Sequence, residues 1–243
     1  MTVGLSRRAY LAAWRVTHRG RARFCPACNS SVSLFAPYGV HRRPDAQCPS
    51  CGSLERHRAL WLYLRQMTDF LGRPLRVLAV APDPFLERQA AALPWDYLSV
   101  DIDPGRAMRQ MDLTGLALPA DDRDLVIAYH VLEHIVDDAA AIAEVARVLR
   151  PTGRAILEVP LAGEETDEEL MAAPPAERAL RYGQPDHVRM YGQSDFMRRL
   201  VHGGLDPEEV HVGAVFKDRV EECALDRGER FFVARPAPIG DQH

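Results

Sequence analysis

Residues 124–160 read DLVIAYHVLEHIVDDAAAIAEVARVLRPTGRAILEVP, and this stretch decides the fold. Residues 125–129 are a short apolar run of the kind buried on both faces of a parallel sheet. Asp137 or Asp138 then caps a helix, because a carboxylate there accepts the unpaired N–H groups of the first turn. Ile142, Val145 and Leu149 recur at helical spacing. Pro151 and Gly153 stop that helix and turn the chain. Residues 155–159 are a second apolar strand. Strand, crossover helix and strand make a βαβ unit. Ligands of open α/β sheets bind beyond the carboxyl ends of the strands. Tyr129, His130, Glu133 and His134 therefore stand at one lip of the expected site.

Upstream of this unit, residues 75–80 read as the first strand of the same sheet. Residues 84–93 are a helix, and residues 97–100 a second strand that ends at Asp101. The interval 102–124 is too short for a normal helix and strand, so it holds an abbreviated version with 109–113 as an edge piece. Downstream, residues 163–186 fit a loop or lid with a helical turn. Residues 194–201 are a helix. Residues 210–216 and 230–234 are the last two strands, read as an antiparallel pair. Gly72 and Pro74 open the domain. Before them the segment SLERHRALWLYLRQMTDFL from Ser53 is a helix that Ser53 can cap. Residues 5–18 are a short helix with Leu5, Leu11, Ala12 and Trp14 available for packing.

Cys25, Cys28, Cys48 and Cys51 form C-x2-C-x19-C-x2-C, inside the spacing range of a zinc site. Two such knuckles each offer two thiolates on a tight turn, and together they close a tetrahedron around Zn²⁺. Four protein ligands leave no open position, which makes the zinc structural. The intervening residues suit a small hairpin. His41 and His57 lie nearby but are not needed as ligands. Cys223 is the odd cysteine and reads as a buried thiol.

Composition narrows the class. The chain has 243 residues and a net charge of −4. Residues 1–65 hold eleven Arg, no Lys and two acids, so that end carries +9 and the remainder −13. A basic end can meet an anionic partner, or simply offset an acidic domain. No apolar run reaches the length of a membrane helix. Arg15 interrupts the apolar stretch near the N-terminus before it could serve as the core of a signal peptide. The expectation is a cytoplasmic protein with no membrane partner.

The segments HVLEHIVDD and RVLRPTGR, with the strand after them, resemble the second half of a class I S-adenosylmethionine-dependent methyltransferase of the methyltransferase-11 type. The phrase CPSCGSLERHR resembles a subset of that family with an N-terminal zinc-ribbon-like element. The resemblance implies an α/β, Rossmann-like seven-stranded sheet with a small N-terminal zinc ribbon. It divides the chain into a helix (1–20), the ribbon (21–56), a connecting helix (57–72), the methyltransferase domain (73–236) and a frayed tail (237–243). It implies two cofactors, S-adenosylmethionine and structural zinc.

The family carries a glycine-rich turn after its first strand. Here that place reads VAPDPF, residues 80–85, without glycine. Ala81 comes nearest to the Cβ-free approach such a turn needs, and Asp83 can meet the cofactor's ammonium group. Asp101 can accept both ribose hydroxyls. The resemblance adds Ile102 beside it, Asp112 near the adenine amino group, Leu113 as a backbone contact and His130 lining the cofactor. A hydroxyl or amine acceptor must lose a proton, and His suits that near neutral pH. His130 and His187 are the candidate catalytic residues. Arg189, Tyr182 and Tyr191 accompany His187, with Arg189 a candidate for binding an acidic substrate.

The expected activity is methyl transfer to a small-molecule acceptor in specialised metabolism, on oxygen before nitrogen. An RNA methyltransferase holding RNA on the basic ribbon is the alternative. A binding module that lost transfer is the third reading, on the strength of the missing glycines. A homodimer is compatible with the sequence.

Overall fold

The computed structural model describes residues 6–39 and 42–238 and divides the chain into two compact units. Leu5, His41 and the tail from residue 239 lie outside the described residues. No helix among those described is long and apolar enough to cross a membrane.

The first unit combines the described residues up to Arg73 with His211–Arg230. Helix α1 (Arg7–Thr17) is capped by Ser6, whose Oγ accepts from Ala9 N. Trp14 Nε1 donates to Leu34 O at 3.0 Å. In place of one hairpin between the cysteine pairs there are two antiparallel pairs. β1 (Arg23–Cys25) pairs with β2 (Ser30–Val32), and β3 (Ala36–Tyr38) with β4 (Arg43–Gln47). Helix α2 (Glu55–Gln66) starts one residue beyond Leu54, and His57 Nδ1 accepts the Leu54 N–H. Ser53 is not its cap. Its hydroxyl is turned to the cysteine sulfurs instead.

The second unit, Pro74–Val210 with the chain from Phe231, holds the main sheet. Its elements begin with β5 (Arg76–Val80), α3 (Pro84–Ala90), β6 (Asp96–Asp101) and β7 (Arg109–Gln110). Then come β8 (Arg123–Tyr129), α4 (Asp138–Val148), β9 (Leu149–Glu158), α5 (Pro175–Tyr182) and α6 (Gln193–His202). β10 (Leu205–His211) leads into the short helices α7 (Val212–Val215) and α8 (Val220–Cys223), and β11 (Arg230–Pro236) closes the fold. The seven strands lie in the order β10-β11-β9-β8-β5-β6-β7. β5 to β9 run parallel, and β11 pairs antiparallel with β9. This is a seven-stranded, mostly parallel sheet with flanking helices.

Leu78, Val126 and Leu157 on neighbouring strands pack with Ile142 and Val145 of α4 and with Phe196 and Leu200 of α6. Each is almost fully buried, and burying a side chain of that size contributes about 1.5–3 kcal/mol. The period of 3.6 in α4 and the unbroken apolar runs in β5 and β8 are what this packing requires.

Three further expectations are corrected. Pro151 and Gly153 do not turn the chain out of a helix. α4 ends at Val148, β9 begins at once with Leu149 beside Arg123, and residues 150–153 bulge out before Arg154 pairs with Leu125. A Cβ on Gly153 would lie 3.0 Å from Arg123 O and from Arg150 O, so a side chain there would have to push these carbonyls aside by a few tenths of an ångström. Residues 212–216 are not a strand, since the chain leaves the sheet after His211 and folds into α7. The domain boundary 73–236 is therefore interrupted, because His211–Arg230 belongs to the unit of the cysteines. The physical reason is Arg58. It is fully buried, and its guanidinium donates to the carbonyls of Cys223 (2.6 Å), Ala224 (2.7 Å), Ala46 (2.8 Å) and Ser53 (3.1 Å).

Candidate active site

β5 lies between β6 and β8, so the chain's crossover direction reverses at β5. A crevice opens at the carboxyl end of the sheet at such a point. Three strand ends meet there. After β5, Ala81 adopts φ +44°, and its N–H donates to Val100 O at 2.8 Å. After β8, His130 adopts φ +55°, and its N–H donates to Glu158 O at 2.9 Å. At the end of β6, Asp101 Oδ1 accepts from Asp103 N at 2.9 Å. Two non-glycine residues in the left-handed region thus flank the crevice. Strain of about 1–3 kcal/mol for each such residue is typical of binding and catalytic sites.

Ala81 holds a left-handed conformation that glycine adopts at no steric cost. Ala81→Gly should raise the unfolding free energy by up to about 1.5 kcal/mol. The left-handed backbone costs an L-residue about 1–2 kcal/mol, and glycine's extra unfolded freedom offsets about 0.5–1 kcal/mol. Urea unfolding checks this, and a loss of stability would mean that the alanine methyl makes contacts outweighing the strain.

Around the β6 end, Ile102 is 64% exposed, unusual for an isoleucine. Gln110 Nε2 donates to Ile102 O at 2.9 Å, and Asp103 pairs with Arg106 at 3.0 Å. Asp112 forms a tight local turn, its Oδ1 accepting from Thr114 N (2.9 Å) and Thr114 Oγ1 (2.8 Å). Leu113 is buried. Asp83 is the N-cap of α3, its Oδ1 accepting from Phe85 N (2.9 Å) and Leu86 N (3.0 Å).

Beyond β8 the chain makes one tight 3-10 turn, Leu132–His134. The turn aims Glu133 inward, where it is fully buried. His130 Nδ1 lies 3.2 Å from Glu133 Oε1, and its Nε2 3.1 Å from Glu158 Oε2. His187 is buried, with Nδ1 3.0 Å from Tyr182 O and Nε2 4.0 Å from Glu133 Oε1. Burial pushes the His187 imidazole below the usual histidine range, against the pull of the Glu133 carboxylate. The His134 and His187 rings meet edge to face at 4.8 Å. Glu158 had no signal except its place, a lone acid at the carboxyl end of an apolar strand.

In the first unit the four cysteines converge. Cys25 and Cys51 sulfurs are 3.6 Å apart, and those of Cys28 and Cys48 3.8 Å. Corners of a ZnS4 tetrahedron with 2.3 Å bonds are ~3.8 Å apart. Each knuckle ends in a left-handed residue, Asn29 (φ +55°) or Gly52 (φ +82°), whose N–H bonds back to Cys25 O or Cys48 O. The cysteines are not in disulfides. Hydrogen bonds shared among the four sulfurs split their acidities, pushing Cys48 far below the usual thiol range and Cys28 to about 7 while pushing Cys25 and Cys51 far above it. A metal binds the deprotonated sulfurs and releases their protons. The donor set and its spacing fit structural zinc.

Residues 71–157 match the sequence profile of a family described as Methyltransferase domain. This stretch is a methyltransferase domain. Its sheet is shared with solved structures of low identity, which show the fold. An S-adenosylmethionine-dependent methyltransferase from Mesorhizobium loti is 20% identical, covers 73% of this chain and 97% of its own, and has a TM-score of 0.52. Phosphoethanolamine N-methyltransferase 2 of Haemonchus contortus, solved with S-adenosyl-L-methionine, is 14% identical over 78% of this chain and 54% of that one (TM-score 0.54). The [4+2]-cyclase SpnF is 15% identical over 84% of this chain and 88% of its own (TM-score 0.55). No curated protein matches the sequence.

Within the methyltransferase domain, Ala81, Asp101, Ile102 and His130 stand at or beside the strand ends of the crevice. Arg189 is not available to a substrate. It is 1% exposed and is held by Glu168 (3.0 Å), by the carbonyls of Ile135 and Val136, and by Asp138 at 3.4 Å. Tyr191 donates to Asp138 Oδ2 at 2.7 Å, and Arg199 joins the same carboxylate at 3.0 Å. Tyr182 OH accepts from Leu170 N at 2.8 Å. This network fastens the 163–191 segment, and His187 sits in its inner side.

Proposed function

We propose that this protein transfers a methyl group from S-adenosylmethionine to an oxygen of a small-molecule acceptor. The observation that carries the reading is the crevice where Ala81, Asp101 and His130 end three adjacent strands of a methyltransferase domain. Asp101 and Ile102 would hold the nucleoside, Asp112 and Leu113 its base, and Ala81 the methionine part. When bound, that group supplies a methyl already activated by a sulfonium. The protein's task is then alignment, which is worth about 7–11 kcal/mol. His130, between Glu133 and Glu158, can accept a proton from a hydroxyl acceptor. His187 backs Glu133 from the buried side.

Native mass spectrometry of the purified protein, with calorimetric titration of S-adenosylmethionine and S-adenosylhomocysteine, tests this. One equivalent of either should bind. No heat with both would end the proposal.

A second reading is favoured by one feature of the first unit. Arg7, Tyr10, Tyr38 and Arg42 line a cleft of about 380 Å³. The Arg7 guanidinium lies 5.0 Å from the Tyr10 ring and 5.6 Å from the Tyr38 ring. Aromatic faces beside arginine suit stacked RNA bases. Binding of a structured RNA that weakens steeply with salt would support RNA as the acceptor. Its absence at low salt would leave the small molecule.

A further inference from the structure

Glu133 and His187 carry buried polar atoms that nothing else in the fold accounts for. Glu133 is fully buried, and its Oε2 has no hydrogen-bond partner among the described residues. His187 is 3% exposed, and its Nε2 has none among them either. Buried polar atoms in native proteins are almost always partnered, and an unpartnered charged one is costly. The tautomer of His187 is set by its other nitrogen. Nδ1 lies 3.0 Å from the Tyr182 carbonyl, which can only accept, so Nδ1 carries the hydrogen. In the neutral ring Nε2 then presents a lone pair toward the Glu133 carboxylate, 4.0 Å from Oε1, the oxygen that His130 Nδ1 also faces at 3.2 Å. His130 leaves Oε2 and the His187 lone pair unmatched, and a cation held by the carboxylate and the imidazole satisfies both.

His134 completes the set. Its ligand nitrogen, with those of His187 and the Glu133 carboxylate, falls in a group whose atoms all lie within 4.8 Å of one another. Two ligands bound at 2.0–2.1 Å to one ion sit about 3.0–3.4 Å apart, so a small inward shift suffices. The outer contacts have the form expected around a metal. Ligating histidines donate their second nitrogen to a carbonyl or carboxylate. His187 turns Nδ1 to the Tyr182 carbonyl, and His134 Nδ1 faces Asp186 Oδ2 at 3.4 Å. Val188 N donates to Glu133 O at 2.8 Å, which ties the two halves of the set together through the backbone.

We propose that Glu133, His134 and His187 bind one divalent transition-metal ion at the lip of the crevice, separate from the cysteine cage. Two imidazoles and one carboxylate favour a borderline ion such as Zn²⁺, Co²⁺ or Fe²⁺ over Mg²⁺ or Ca²⁺. Three protein ligands leave coordination positions open, as catalytic sites do. The function of this site rests on the methyl-transfer reading: a metal there would hold an acceptor hydroxyl and lower its pKa. The O–H bond breaks heterolytically, the oxygen keeps the electron pair, and the proton passes to His130.

The test is titration of the full chain carrying one zinc equivalent, enough for the cysteine cage alone, with Co²⁺, monitored by calorimetry and visible spectroscopy. One Co²⁺ per chain should bind with weak d–d bands and no thiolate charge-transfer band. His134→Ala, at a partly exposed position, and His187→Gln should each weaken Co²⁺ binding by at least ~10–100-fold, the range seen for lesser changes around metal sites. Circular dichroism confirms that each variant folds. No Co²⁺ uptake beyond the cage, a thiolate-type spectrum, or unchanged affinity in a folded His134→Ala would overturn the site. Titrating S-adenosylhomocysteine into the same wild-type sample separates the two readings. Heat with the nucleoside and none with Co²⁺ removes the metal and leaves methyl transfer. The reverse removes methyl transfer and leaves the metal.

Discussion

Arg58→Met should destabilise the cysteine-bearing unit by about 3–5 kcal/mol, the cost of breaking a buried charged network on one side. Arg58 is fully buried, and its guanidinium donates to carbonyl oxygens, not to a carboxylate. Burial alone pushes its pKa down, while the charges of Cys25, Glu55 and Cys48 work the other way. A zinc ion on four thiolates carries a net −2, so the loaded cage is the natural counter-charge for this arginine. The guanidinium also stacks over Phe35, with CZ 4.4 Å from the ring centroid. Removing it strands four carbonyl oxygens from three parts of the chain. Methionine keeps the volume but not the donors.

Hydrogen exchange read by mass spectrometry gives the sharpest check. Amides of β1, β4 and α8 should lose protection together in Arg58→Met, because the arginine joins residue 46 to residues 223 and 224. Loss in β1 and β4 with α8 unchanged would show that this arginine does not unite them. The same experiment on Cys48→Ser should give a similar pattern with loss of bound zinc. Unaltered zinc content there would count against the four-thiolate cage.

Asp101→Ala is expected to weaken S-adenosylhomocysteine binding by about 10–150-fold, since hydrogen bonds to a charged group are worth ~1.5–3 kcal/mol. The residue is half-buried at the end of β6, and its backbone carbonyl accepts from Met111 N at 3.0 Å. That bond survives the substitution, so the fold should be kept. The side chain itself accepts a turn bond from Asp103 N. Asp103→Ala, which leaves Asp101 in place, should change affinity far less. Calorimetry on both variants decides the matter, and equal losses would mean that the loop shape, not the Asp101 carboxylate, governs binding.

Local rules carried much of this molecule. The apolar runs at residues 77–80 and 125–128 and the 3.6-residue period in α4 demanded a βαβ sheet. The knuckle spacing demanded a cysteine cage, and all four sulfurs converge. The LRPTGR bulge misled a reading based on breakers, because proline and glycine mark a departure from regular pairing without fixing how the chain continues beyond it. β9 resumes its register with β8 after the bulge, and only the partner strand decides that. Residues 212–216 looked like a strand by their apolar content, yet Val212 and Phe216 are buried in a helical turn beside Glu229 and Arg227. Arg189 read as a ligand for an acidic substrate, since a cationic side chain near a site looks the same in sequence whether it faces solvent or buried acids.

By itself, then, the amino-acid order determined the sheet, its crossover and the cysteine cage, because periodicity and close spacing act between residues a few positions apart. Tertiary structure alone decided that residues 211–230 complete the N-terminal unit, that Arg58 reaches carbonyls more than 160 positions away, and that ligand atoms of Glu133, His134 and His187 come within 4.8 Å of one another. Those outcomes depend on which buried charges find partners, and such partners are chosen by packing between distant segments.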